Sequence, residues 1–188
     1  LQGIYFSIFH SISAFCNAGF DLMGTLQPGS SMILFNGDAV VMLTLTMLIL
    51  TGGPGTGKTT TLRGILKVFE WQGLEVALAA PTGRAAKRMS ELTGREAQTI
   101  HRLLEVEWDR NDRPVFSRNR RNPISANAVI VDELSMVDIT VFSSLLEALP
   151  IGCRLIMVGD SDQLPPVGAG NVLHDLINSK ALPVVELN

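Results

Sequence analysis

The sequence predicts an α/β fold, a parallel sheet flanked by helices, occupying the chain from about residue 48 onward. Three observations carry the prediction. Short apolar runs, of the kind buried on both faces of a sheet, alternate with stretches of helical spacing. A glycine-rich loop joins the first apolar run to the first helical stretch. Charged residues, sparse before it, become frequent from Lys58. The 188 residues suffice for one domain with its own core.

The elements follow in order. Met47 to Leu50 is the first apolar run and ends at the loop. Residues 59–71 have helical spacing, with Leu62, Ile65, Leu66 and Phe69 on one face, and Gly73 closes the stretch. Residues 75–80 read as a second strand, followed by a turn at Pro81-Thr82-Gly83 and a basic helix over 84–92. A short helix is expected over 99–104. The Arg/Asn-rich stretch 109–123 is expected as a surface loop or hairpin. Ala128 to Val131 is nearly continuous in apolar residues and reads as a buried strand. A helix over 137–149 stops at Pro150. A strand over 154–158, a Pro/Gly-rich loop, a helix over 171–177 and a strand over 184–187 complete the pattern. Strands separated by helices imply right-handed parallel crossovers.

The composition is uneven. All 15 Lys and Arg residues lie at Lys58 or later, and residues 1–51 carry only Asp21 and Asp38. Soluble domains carry about 25% charged residues, so the opening stretch is a different kind of sequence. Five of the eight Phe residues also fall there. The net charge of −3 neither demands nor excludes nucleic acid. Cys16 and Cys153 lack CxxC spacing, which argues against a disulfide framework or zinc site and fits a reducing compartment, the cytoplasm. No signal-peptide pattern opens the chain, which starts on Leu1 rather than Met and reads as a fragment.

Three motifs carry chemistry. Gly52-Gly53-Pro54-Gly55-Thr56-Gly57-Lys58-Thr59-Thr60 matches G-x-x-x-x-G-K-[ST]. Glycines let backbone N–H groups turn toward phosphate oxygens, Lys58 supplies a point charge, and Thr59 places a hydroxyl for Mg²⁺. The helix that follows aims its positive end at the same anion. The second motif is an apolar strand ending in Asp132 and Glu133, at the edge of the sheet where ligands collect. Asp132 suits a Mg²⁺ coordination shell, and Glu133 is placed to polarise an attacking water. The third motif runs from Val158 to Gly168, where Gln163 can hydrogen-bond either a γ-phosphate or its attacking water. A plain turn is the alternative reading of that loop.

The order GGPGTGKTT, APTGRAAKRM, TIHRLL, VDELSMVD, GDSDQLPPVGAG resembles the RecD-type branch of superfamily 1 DNA helicases over about residues 48–188. The resemblance implies a RecA-like P-loop NTPase fold and an ATP site built from the first and last pairs of these motifs. It also implies a single-stranded DNA contact carried by Thr82, Gly83 and Arg84. From composition, Arg84, Lys87 and Arg88 read equally well as a solvated helix face. The sequence departs from the family in two ways. No Gln-containing segment for reading adenine precedes the loop, and Gln27 stands in a Pro-Gly context instead. Nor does the chain continue past Asn188 into the next motif, which supplies an arginine to the transition state, or into the second motor domain. Weak or no unwinding, and at best slow ATP hydrolysis, is therefore the expectation for this chain.

Residues 1–50 resemble a different family. Ser7 to Asp21 is similar to a pore loop of Trk/Ktr potassium transporters, and Asp38 to Leu50 to the start of the membrane helix after it. The resemblance makes Gly19 a filter glycine and implies membrane association of residues 1–50. It offers an alternative function, a potassium-transporter fragment joined to a P-loop domain, with the join near residues 47–52. A further alternative is an apolar hairpin added to a soluble P-loop protein. The apolar run from Ala39 to Thr51 is 13 residues, roughly 20 Å as a helix against a hydrocarbon core of about 30 Å.

Overall fold

The computed structural model describes residues 47–108, 114–163 and 166–187. The first strand, β1 (Met47–Gly52), leads through the loop into α1 (Lys58–Trp71). There follow β2 (Val76–Ala80), α2 (Gly83–Thr93), β3 (Ala97–Thr99) and α3 (Ile100–Leu103). A two-stranded antiparallel ribbon pairs β4 (Val106–Trp108) with β5 (Pro114–Phe116). The chain continues through β6 (Ala128–Val131), a 3₁₀ turn at Leu134–Met136, α4 (Ile139–Ala148), β7 (Arg154–Gly159), α5 (Val172–Ser179) and β8 (Val184–Leu187).

Among the described residues, six strands form one parallel sheet in the order β3-β2-β6-β7-β1-β8. Successive side chains on a strand point to opposite faces, and the core divides accordingly. Leu48, Leu50, Leu78, Ala128, Ile130, Ile156 and Val158 face one side, where Leu62, Ile65, Leu66 and Phe69 of α1 and Met89 of α2 cover them. Ile49, Ala79, Val129, Val131, Leu155 and Met157 face the other, under α3, α4 and α5. Burial on both faces explains why these strands are apolar throughout rather than alternating.

The helix starts are set by local chemistry. Thr82, Thr99, Asp138 and Asn171 each accept a backbone N–H of the helix they precede. α2 ends at Gly94 in the left-handed conformation. α1 differs: its N-cap is Gly57 and no side chain caps it.

Several expectations change. β3 is a strand that the sequence pattern did not predict. The helix expected over 137–149 begins at Ile139, because Asp138 caps it and the preceding residues form the 3₁₀ turn. A hairpin is present at the polar stretch, as one of the two expected readings has it, but its first strand, Val106–Trp108, lies ahead of residue 109. Over residues 47–50, the membrane helix implied by the transporter resemblance is corrected: this segment is a buried strand, paired with β7 on one side and β8 on the other. The rest of the apolar N-terminal segment, with Gly19 and Gln27, lies outside the described residues. No helix among the described residues is long and apolar enough to cross a membrane.

Candidate active site

The site lies at the C-terminal edge of three neighbouring strands, β1, β7 and β6, where ligands bind in open parallel sheets. Each strand delivers one motif to a shared cavity of about 380 Å³. Gly53, Pro54, Gly55, Thr56, Gly57, Lys58 and Thr59 form one wall, Asp132 and Glu133 another, and Gly159, Asp160 and Gln163 a third.

The loop after β1 is shaped by its glycines. Gly55 and Gly57 have φ of 82° and 88°, a region that other residues enter at a cost. Gly52 has no room for a side chain, since an added Cβ would lie 2.5 Å from the Leu187 carbonyl oxygen and 2.7 Å from Thr56 Oγ1. Thr56 Oγ1 donates to the Gly53 carbonyl at 2.9 Å. Lys58 Nζ donates to the Gly52 carbonyl and, at 2.8 Å, to that of Gly53. The ammonium is therefore held over the loop by weakly bound neutral acceptors, which a phosphate oxygen can replace with a stronger, charge-assisted bond.

Asp132 leaves the end of β6, with its N–H donating to the Ala79 carbonyl of β2 at 3.0 Å. Its Oδ1 accepts the Glu133 N–H at 2.9 Å. Burial holds the Asp132 carboxyl above its ordinary range. The Glu133 N–H opposes that shift, the Glu133 charge reinforces it, and Lys58 and Arg88 oppose it. Glu133 adopts φ 56°, ψ 41°, a left-handed turn uncommon outside glycine, which swings the chain from β6 into the 3₁₀ turn. Among the described residues no cluster of three His, Cys, Asp or Glu side chains could hold a metal by itself. Thr59 and Asp132 fit Mg²⁺, which takes few protein ligands and completes its shell with phosphate oxygens and water.

In the third wall, Asp160 is buried and its Oδ1 accepts the Asp162 N–H at 3.0 Å. The Asp160 carbonyl accepts the Gln163 N–H at 3.3 Å, closing the turn that carries Gln163. Gln163 Oε1 accepts the Ser135 hydroxyl at 2.9 Å.

The predicted residues thus divide. Gly53 to Thr59, Asp132, Glu133 and Gln163 converge, whereas Thr60 is exposed on the first turn of α1 and does not line the cavity. Thr82, Gly83 and Arg84 are exposed and lie outside the cavity. Thr82 Oγ1 caps α2 through the Ala85 N–H at 3.2 Å. Gly83 borders a second, shallow groove with Lys87, Gln98, Thr99 and Arg102. Arg88 is exposed, as a solvated helix face would have it, but one residue on from Lys87 it also lines the rim of the first cavity, with Met89, Leu92 and Thr93 of the same helix. Sequence reasoning also gave Ser135 and Asp160 no role. The position of Asp160 at the end of β7, matching Asp132 at the end of β6, was the available signal.

A family model described as an AAA domain matches residues 36–169, most of the chain. The chain belongs to the AAA domain family. The match begins ahead of the expected join near residue 47. This AAA domain is 47% identical over 141 residues to the ATP-dependent RecD2 DNA helicase of Deinococcus radiodurans, covering 75% of this chain and 19% of that protein. It is 42% identical over 162 residues to the RecBCD enzyme subunit RecD of Mycolicibacterium smegmatis, covering 74% of this chain and 29% of that one. The chain therefore spans less than a third of either relative. Its phosphate-loop domain is similar in sequence to that part of these RecD helicases. A crystal structure of Bacteroides Pif1 bound to ssDNA shares the fold, with a TM-score of 0.51 at 24% identity over 79% of this chain and 40% of that one. The potassium-transporter alternative, and membrane association of residues 1–50 with it, finds no support in these relatives.

Proposed function

We propose that this AAA domain binds ATP with Mg²⁺ and hydrolyses it as the first motor domain of a RecD-like DNA helicase. One observation carries the reading: Lys58, Thr59, Asp132, Glu133 and Gln163, drawn from three separated motifs, line a single cavity. The uncapped α1 N-terminus faces the same space and favours an anion there. In this reading Gly53 to Gly57 cradle the phosphates with backbone N–H groups, and Thr60 extends the α1 N-terminus. Lys58 meets the outer phosphates. Thr59 and Asp132 hold Mg²⁺, which neutralises phosphate charge when bound. Glu133 accepts the proton of the attacking water, and Gln163 contacts the terminal phosphate. Arg88 adds a second positive charge at the rim of the cavity.

The DNA assignment rests on the similarity to the ATP-dependent RecD2 DNA helicase of Deinococcus radiodurans and on chemistry. Thr82, Gly83 and Arg84 stand exposed at the start of α2, where a helix N-terminus and a guanidinium suit a backbone phosphate. Single-stranded DNA is the proposed partner and the cytoplasm the proposed location.

Titration of the full chain with Mg·ATP, followed by single-turnover hydrolysis, tests the nucleotide reading. The Glu133→Gln variant is expected to bind Mg·ATP like the parent and lose at least about a hundredfold in hydrolysis rate. Equal hydrolysis by the variant contradicts the role of Glu133. For DNA, the Thr82→Ala/Arg84→Ala double variant is expected to weaken binding of a fluorescent oligodeoxythymidine while leaving Mg·ATP affinity unchanged. Unchanged oligonucleotide affinity contradicts that contact.

A further inference from the structure

We propose that Ser135 is a positioning residue that fixes which end of the Gln163 amide meets the terminal phosphate. The inference rests on the nucleotide reading above and deepens it. The Ser135 hydroxyl donates to Gln163 Oε1 at 2.9 Å, across 28 residues of sequence. The two partners differ in setting. Ser135 is buried at 4% exposure, whereas Gln163 is exposed and lines the cavity.

Ser135 sits on a rigid support. Its 3₁₀ turn is closed by Met136 N–H to Glu133 O and by Val137 N–H to Leu134 O, each at 3.0 Å. Leu134 is fully buried in the core. The Ser135 backbone nitrogen lies 3.5 Å from where a Cβ on Gly159 would stand, so the turn packs directly on the end of β7. The hydroxyl is thus presented from a fixed point to the loop whose Gln163 lines the cavity.

The consequence follows from amide chemistry. Gln offers one acceptor oxygen and an NH₂ with two donors. With its oxygen held by the Ser135 hydroxyl, the NH₂ is the end left for the cavity. A terminal phosphate presents only acceptor oxygens, and so do the neighbouring Asp132 and Glu133 carboxylates. Gln163 therefore recognises the terminal phosphate by donating to it, and its oxygen is not the group that orients a water. Ser135 becomes a determinant of triphosphate over diphosphate.

The test measures affinities of the full chain for Mg·ADP and for a non-hydrolysable Mg·ATP analogue, AMP-PNP, with thermal melting as a check on folding. Ser135→Ala is expected to cut the AMP-PNP preference over ADP by about tenfold, with ADP affinity and melting unchanged. Gln163→Glu keeps an acceptor for Ser135 but removes the donor, and is expected to lose the preference as well. In a Gln163→Ala background, Ser135→Ala is expected to have no further effect. Equal losses for both nucleotides, or an undiminished Ser135→Ala effect without Gln163, overturn the inference while leaving the nucleotide reading standing. Failure of the parent chain to bind either nucleotide overturns both.

Discussion

Asp138 and Gly168 are in contact at a distance that leaves no space for a side chain on the glycine. A Cβ at Gly168 would lie 2.6 Å from Asp138 Cβ and 2.8 Å from its Oδ2. Asp138 is the cap of α4, accepting the N–H groups of Thr140 at 2.8 Å and Val141 at 3.0 Å through Oδ1. The next residue of the loop, Ala169, accepts the Ile139 N–H at 3.0 Å. The loop after β7 is thus docked on the start of α4, the helix that follows the acidic motif. Gly168→Ala is expected to destabilise the fold by about 1–3 kcal/mol, because either the cap or the loop must move. Val167→Ala, at a fully exposed position, is expected to change stability by less than about 0.5 kcal/mol. Urea unfolding of the two variants checks the contrast.

The Gly52 position makes a comparable demand at the phosphate loop. Its Cβ site is closed by the Leu187 carbonyl of β8 and by Thr56 Oγ1. Gly52→Ala is expected to cost about 1–3 kcal/mol and to weaken Mg·ATP binding, since the loop and the edge strand cannot both keep their places. Chemical denaturation and nucleotide titration on the same sample measure both effects.

Burial raises the Asp132 carboxyl, so the folded chain binds its proton more tightly than the unfolded chain does. Between the ordinary carboxylate value and the raised folded value, the folded state holds more protons, and stability falls as pH rises through that window. Above it, the ionised Asp132 weighs against folding. Asp132→Asn is therefore expected to raise the melting temperature of the nucleotide-free chain at neutral pH and to flatten the fall in stability above about pH 4. The same variant is expected to bind Mg·ATP more weakly. Melting curves from pH 4 to pH 8, with and without Mg·ATP, read both signs. A lower melting temperature for Asp132→Asn at pH 7 contradicts the account.

Cys153 lies in the core beneath β6 and β7, and burial pushes its thiol up to about 11, against the opposing charge of Arg154. Its thiol is expected to stay protonated and shielded at pH 8. In a Cys16→Ser background, labelling by a thiol-disulfide reagent is expected to be slow in buffer and fast in denaturing urea. Equal rates in the two conditions contradict the burial.

What the sequence made legible was what is local. The strands β1, β2, β6 and β7 announce themselves because burial on both faces demands nearly unbroken apolar runs, as in Ala128 to Val131, whereas β8, a partly buried edge strand with Glu186 exposed, shows only as a short apolar stretch. β3 stayed hidden because Ala97, Gln98 and Thr99 are only half-buried at the sheet's edge, and edge pairing imposes no apolar pattern. The phosphate loop was legible from its glycine spacing, since the left-handed turns at Gly55 and Gly57 are backbone requirements. Ser135 and Arg88 were not. Ser135 acquires its role from a residue 28 positions away, and Arg88 from its helical phase relative to Lys87, one residue earlier on α2. Neither relationship leaves a mark in spacing. The transporter resemblance failed over 47–50 because an apolar run suits a buried strand as well as a membrane helix, and its pairing with β7 and β8 decides between them.

The central claim is that the loop from Gly52 to Thr60 binds the phosphates of ATP through Lys58. Its most direct test is the affinity of the Lys58→Ala variant for Mg·ATP, measured by calorimetry beside the parent chain. The Lys58 ammonium hydrogen-bonds the Gly52 and Gly53 carbonyls and is not part of the core, so melting should change little. Loss of one charge-assisted contact to phosphate is expected to weaken binding at least about tenfold. Undiminished Mg·ATP affinity in a folded Lys58→Ala variant would contradict the assignment.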